Sequence, residues 1–279
     1  MMFKKRVSRQ LMPSGKKRFF NKIELSLFVA TLFAMPAMAE EAQTDPSASP
    51  EVVRIAIEGA YPPFSWVASN GELTGFDVEV MTAICDQMKA TCEFTTQEWD
   101  GLIPSLLEGK YDAFIAGMSV TEKRQKKIDF TLPYASIPAR YIAKKTTDIN
   151  MDDLSSLRIG VRVNTIHDNY LTDNYPNHKN IRRYPHYDDA YFNLVNDDID
   201  ILLGDASALY DSIISQRGGE EYHFVGPQLN DKQWFGEGLG IGINKTDTSL
   251  KSQLNHAIVK VVSSDEYEQI HARYFSLDH

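Results

Sequence analysis

The chain has 279 residues, a formal net charge of −9 and 43% hydrophobic residues. An excess of acid over base repels phosphate backbones and anionic lipid, so nucleic acid and the membrane surface are excluded first as partners. The length is enough for a full core in one large domain or two smaller ones.

The N-terminus opens with Lys4, Lys5, Arg6, Arg9, Lys16, Lys17, Arg18 and Lys22, then an apolar run from Leu25 to Ala34, then Ala37-Met38-Ala39 before Glu40. A basic stretch, a short apolar core and small residues at a cleavage point predict a secretory signal peptide over residues 1–39 and a periplasmic destination. The apolar core is about half of the ~20 residues that a membrane-spanning helix needs. No Cys follows the cleavage point, so no lipid anchor is expected there. Removing residues 1–39 takes eight of the 29 basic and one of the 38 acidic residues, leaving 21 against 37 and a charge of −16 on the mature chain. Its two cysteines, Cys85 and Cys92, face an oxidising compartment and are predicted to form a disulfide. A redox or metal pair is disfavoured by the spacing, which is not CxxC, and by the lack of a nearby His cluster.

Residues 40–50 are polar and rich in Pro and Ser, which reads as a flexible leader. From Val52 onwards strands and helices alternate. A strand over 52–57 leads through a Pro turn to a helix over 77–89. A strand over 93–96, a helix over 101–108 and a strand over 113–116 follow. The rhythm repeats with a strand at 158–163, a helix at 167–174, a strand at 182–184, a helix at 188–196 and a strand at 199–203, with a further helix over 206–215. Two such runs predict an α/β chain with two lobes, each a mainly parallel sheet flanked by helices. The last segments, a strand at 240–243 and helices at 249–262 and 264–275, are expected to return to the first lobe. Ligands of open α/β sheets gather beyond the carboxyl ends of the strands, so the turns there are where a site is sought.

No HExxH, GxSxG, P-loop or metal-spaced His/Cys group occurs, and no catalytic residue, metal or cofactor is expected. The run Gly238-Leu239-Gly240-Ile241-Gly242 has the wrong spacing for a dinucleotide fingerprint and reads as a turn into a strand.

Gly75-Phe76-Asp77-Val78-Glu79-Val80, followed by Ile84, Cys85 and Met88, places acids in a first helical turn and apolar residues at helical spacing. Together with Tyr61-Pro62-Pro63-Phe64, Leu102-Ile103-Pro104-Ser105-Leu106, Asp112-Ala113, Ser119-Val120-Thr121-Glu122-Lys123-Arg124 and Phe235-Gly236-Glu237-Gly238-Leu239-Gly240, it resembles the polar amino-acid group of periplasmic solute-binding proteins. The resemblance covers about residues 52–275 and is greatest to arginine-binding and lysine/arginine/ornithine-binding proteins, which carry a disulfide at positions matching Cys85 and Cys92. It implies a type II periplasmic-binding-protein clamshell with two hinge strands. Lobe one would span 51–137 plus 230–279, and lobe two 138–229. A monomer would close on one free amino acid and deliver it to an inner-membrane ABC permease.

A free amino acid presents a carboxylate, an ammonium and a side chain, each needing its own partner once water is excluded. By the resemblance, Arg124 takes the α-carboxylate with its planar fork and Ser119 accompanies it. Asp205, at a strand's carboxyl end, takes the α-ammonium, while Thr165 grips the ligand from the second lobe. Glu58 occupies the acid position of binders of basic amino acids, and Tyr61 and Trp99 match the aromatics that sandwich the side chain. Gly117 lies in an Ala-Gly-Met segment shared with arginine binders, and His167 matches a His in them. Plainer roles stay open: a surface Arg in a charged helix for Arg124, a helix N-cap for Asp205, core packing for the aromatics, and a neutral helix-start residue for His167.

Several positions depart from the pattern. Ile166 replaces a frequent Thr, and Asn164 replaces a frequent Gly in a turn where Asn tolerates left-handed backbone. Arg162 places a fixed positive charge near the site. Pointing inward it opposes a cationic ligand; otherwise it pairs with an acid, or recognises an additional ligand carboxylate such as that of an opine. Arginine is the expected ligand, with ornithine, lysine, histidine or an opine as alternatives. An enzyme resembling cyclohexadienyl dehydratase, with Glu58 as acid or base, and an amino-acid sensor are the competing functions.

Overall fold

The computed structural model describes residues 52–275; the expected signal peptide and leader lie outside the described residues. The first sheet has the spatial order β5-β1-β6-β13-β7, built from β1 (Val52–Ile57), β5 (Thr91–Thr96), β6 (Ala113–Phe114), β7 (Asp129–Phe130) and β13 (Gly242–Ile243). β1 runs parallel to β5 and β6, while β13 is antiparallel to both β6 and β7. The second sheet has the order β10-β9-β11-β8-β12, from β8 (Ala139–Lys144), β9 (Ile159–Arg162), β10 (Ile181–Tyr184), β11 (Ile201–Asp205) and β12 (Tyr222–Leu229). Here β9, β10 and β11 are parallel, and β8 is antiparallel to β11 and β12. A meander of β2 (Ala60–Tyr61), β3 (Ser65–Val67) and β4 (Leu73–Thr74) precedes the first helix.

Helices cover both faces of each sheet, as α/β layering requires. α1 (Phe76–Met88) turns Phe76, Val80, Met81 and Ile84 inward, a spacing that puts them on one stripe. All four are fully buried, which stabilises by roughly 1.5–3 kcal/mol each. α8 (Thr248–Val261) and α9 (Asp265–Phe275) pack on the same face through Leu254, Ile258, Ile270 and Phe275. α2 (Leu102–Leu107) closes the other face over Phe114 and Phe130. Cys85 of α1 and Cys92 of β5 form a disulfide with Cα atoms 6.2 Å apart, tying the helix end to the edge strand.

In the second sheet α4 (Ile166–Asn174) and α5 (Tyr187–Val195) lie on opposite faces. Trp234 and Phe235, in the short α7 (Lys232–Phe235), pack into the core beside α4, so the returning chain touches the second sheet before β13 rejoins the first. The expected helix over 206–215 is α6 (Ala206–Leu209) continued as π-helix over Tyr210–Ile214. The expected helix over 101–108 starts as a 3-10 turn at Trp99–Gly101, because Pro104 fits only the first turn of the α-helix that follows. Among the described residues no helix is long and apolar enough to cross a membrane.

Candidate functional site

Four strands of the two sheets end at one cleft. β1 delivers Glu58 directly after Ile57, β9 ends on Arg162, and β11 ends on Asp205. From β6 the chain runs through Gly117 and Ser119 to Thr121, whose hydroxyl accepts the Arg124 N–H and caps α3 (Glu122–Gln125). A narrow cleft, partly open to solvent, is lined by Tyr61, Trp99, Gly117, Ser119, Arg124, Arg162, Thr165, Ile166, His167, Tyr187 and Asp205. Eight of the nine expected ligand residues therefore meet at one place; Glu58 stands behind Arg162 and does not line it.

Arg124 donates from Nη1 to the Ser119 carbonyl at 2.8 Å. Loss of water around its head group pulls its pKa down to about 10, with Asp205 opposing, so it remains charged at neutral pH. Among the described residues no acid forms an ion pair with it, which leaves a fork suited to an incoming carboxylate. Asp205 stands at the N-cap of α6 but makes no side-chain cap bond. Its carboxylate instead accepts the Tyr61 hydroxyl and lies 3.6 Å from His167 Nε2. Burial lowers the His167 pKa, opposed by Asp205, which keeps the ring neutral at pH 7. The Thr165 hydroxyl caps α4 by accepting the Asp168 N–H and donates to the Arg162 carbonyl.

Gly117 has φ +55°, and a Cβ there would sit 3.4 Å from the rings of Phe64 and Tyr61. Its N–H donates to Asp77 Oδ2 at 2.7 Å, while the Tyr134 hydroxyl donates to Oδ1 at 2.8 Å. Asp77 is fully buried and holds the loop that carries Gly117 and Ser119; its sequence position suggested only a helix-start acid. Asn164 adopts φ +60°, completing the turn between β9 and α4.

Residues from the two sheets meet across the cleft. Trp99 Nε1 donates to the Asn164 carbonyl at 3.3 Å, Asn164 donates to Asp100 at 3.0 Å, and Lys123 donates to Asn169 at 2.8 Å. Tyr61 stacks on Tyr187 with centroids 4.9 Å apart. Arg162 points inward and also pairs with an acid: Nη2 lies 2.5 Å from Glu58 Oε1, both side chains being buried. Its Cζ is 5.3 Å from the Trp99 ring centroid and 5.2 Å from that of Tyr187. Burial pushes the Glu58 carboxyl up, opposed by Arg162, while the hydrogen bond and charge of Glu58 hold Arg162 above its ordinary value against burial. Among the described residues no group of three or more His, Cys, Asp or Glu could hold a metal ion.

A guanidinium with no acid partner among the described residues and a carboxylate thus line one interlobe cleft, and the chain is similar to known proteins along nearly its whole described length. The model of the bacterial extracellular solute-binding proteins, family 3, matches residues 53–277. The chain belongs to this family. An L-arginine-binding protein of Pseudomonas aeruginosa is 38% identical over 234 residues, covering 83% of this chain and 90% of its own. A histidine-binding periplasmic protein of Escherichia coli is 32% identical, with 92% and 96% covered. Among solved structures, a Salmonella typhimurium periplasmic binding protein of high arginine specificity superposes with a TM-score of 0.73 at 31% identity, covering 81% of this chain and 100% of that one. Like these relatives of family 3, the chain is a binding protein and not an enzyme, and its fold is their two-lobed clamshell.

Tyr187 is the cavity residue that sequence reasoning missed. Its signal was its place just beyond the carboxyl end of β10, at the start of α5.

Proposed function

We propose that this chain is the periplasmic binding component of an amino-acid ABC importer, exported by cleavage after Ala39 and working as a monomer with an inner-membrane permease. The lobes divide near residues 137 and 230. The ligand is a free L-amino acid, arginine first. Arg124 takes the α-carboxylate and Asp205 the α-ammonium, with Ser119, Gly117 and Thr165 completing the grip and His167 remaining neutral beside Asp205. Glu58, Tyr61 and Trp99 form the side-chain end, where an acid and two aromatics suit a guanidinium.

The observation that carries this reading is that Arg124, which forms no ion pair with an acid among the described residues, and Asp205 line the same cleft. Opposite charges held apart in this way match an α-amino acid zwitterion. The arginine-binding and histidine-binding relatives support a basic ligand. The test is a thermal-shift screen of refolded, ligand-stripped protein against the common amino acids, ornithine and octopine. A ligand at a hundred times its Kd adds about 2.7 kcal/mol of stability. A shift with arginine or its basic relatives supports the reading; no shift with any α-amino acid refutes it.

A further inference from the structure

The groups suited to a ligand's guanidinium already hold one. Arg162, from the second sheet, lies between the Trp99 and Tyr187 rings and against Glu58 of the first sheet, within the cavity that contains Arg124 and Asp205. We propose that Arg162 is an internal competitor for the cation subsite, so that a cationic amino acid binds by displacing its guanidinium from Glu58. The proposal rests on the amino-acid reading above and adds the residue that sets selectivity between cationic and neutral side chains.

The geometry shows why displacement is feasible. Arg162 gives Glu58 only one contact, Nη2 to Oε1, while its Nε is turned to the Pro185 carbonyl at 3.2 Å. Glu58 Oε2 is buried without a hydrogen-bond partner among the described residues. A ligand guanidinium presented fork-on would satisfy both oxygens, a stronger arrangement than one bond. Unless Arg162 leaves, two guanidinium groups share one carboxylate at close range, and their repulsion opposes binding. A neutral side chain meets no such repulsion and needs no displacement. Arg162 thus closes the cleft with its own cation and sets a threshold that only a basic ligand must overcome.

The experiment is calorimetric titration of the purified, ligand-stripped protein, wild type and Arg162→Ala, with L-arginine and with L-glutamine. Removing the competitor leaves Glu58 without its cation, so arginine affinity is expected to rise by roughly tenfold or more while glutamine affinity changes by less than about threefold. Arg162→Gln, which keeps a donor for Glu58 but no charge, covers the case in which the alanine variant folds poorly, and it should move arginine in the same direction. Glu58→Gln in the Arg162→Gln background should abolish the gain. Arginine affinity that falls or stays unchanged in both single variants overturns the proposal while leaving the amino-acid reading intact. If wild type and variants all ignore both ligands, the amino-acid reading fails and this inference falls with it.

Discussion

Replacing Asp77 by Asn should flatten part of the pH dependence of stability. Asp77 is fully buried, and burial raises its pKa from 3.8 to about 7 against the opposing hydrogen bonds from Tyr134 and Gly117. An acid with a raised folded-state pKa keeps its proton in the native chain at pH values where the unfolded chain has released it. Its contribution is full below the unfolded value near 4 and is lost as pH rises through about 7. A three-unit shift corresponds to about 4 kcal/mol in all, of which about 2–3 kcal/mol falls between pH 5 and pH 8. Asn has the same shape, can accept from the Gly117 N–H and donate to Tyr134, and does not ionise. Urea unfolding of both proteins at pH 5 and pH 8 reads the difference: wild type should lose about 2–3 kcal/mol relative to the variant over that interval. Parallel pH profiles, or a wild type that gains on the variant as pH rises, would refute the reasoning.

Three further perturbations test other parts of the structure. Changing Cys85 and Cys92 to Ser should lower unfolding stability by roughly 2–3 kcal/mol in urea, through loss of the constraint that the cross-link places on the unfolded chain; an unchanged midpoint would contradict a structural role. Gly242→Ala brings a Cβ to 2.2 Å from the buried Phe114 ring, so a loss of about 1–3 kcal/mol is expected in the same assay, and neutrality would contradict that packing. Asp205→Asn should weaken binding of L-arginine far more than that of its des-amino analogue, 5-guanidinopentanoic acid; equal losses in calorimetry would remove Asp205 from ammonium recognition.

Much of the site was legible because its residues sit in short local patterns. Asp205 follows an apolar strand and Thr165 opens a helix after one, so each of these two sits beside a strand's carboxyl end by chain logic, whereas Arg124, well beyond the end of β6, is placed by its resemblance to the family motif. The direction taken by Arg162 was not legible. Its partner Glu58 lies 104 residues away on the other sheet, and nothing local decides between an inward and an outward guanidinium. Likewise β8 and β12 carry no clean alternation, since β8 is almost wholly buried and β12 is bulged between Val225 and Leu229. The hairpins over Ala60–Thr74 have strands of two or three residues, too short for a periodic signal. Asp77 looked like a helix-start acid because the loop it holds, at Gly117, is 40 residues distant.

The most direct test of the central claim is calorimetric titration of L-arginine and L-glutamine into wild type and Arg124→Ala. Arg124 is the guanidinium in the cleft that has no acid partner among the described residues, and a shared α-carboxylate is the one group that both ligands must present to it. The substitution should abolish measurable binding of any α-amino acid that the wild type binds, with the fold retained by circular dichroism. A folded Arg124→Ala protein that still binds an amino acid at wild-type affinity would contradict it.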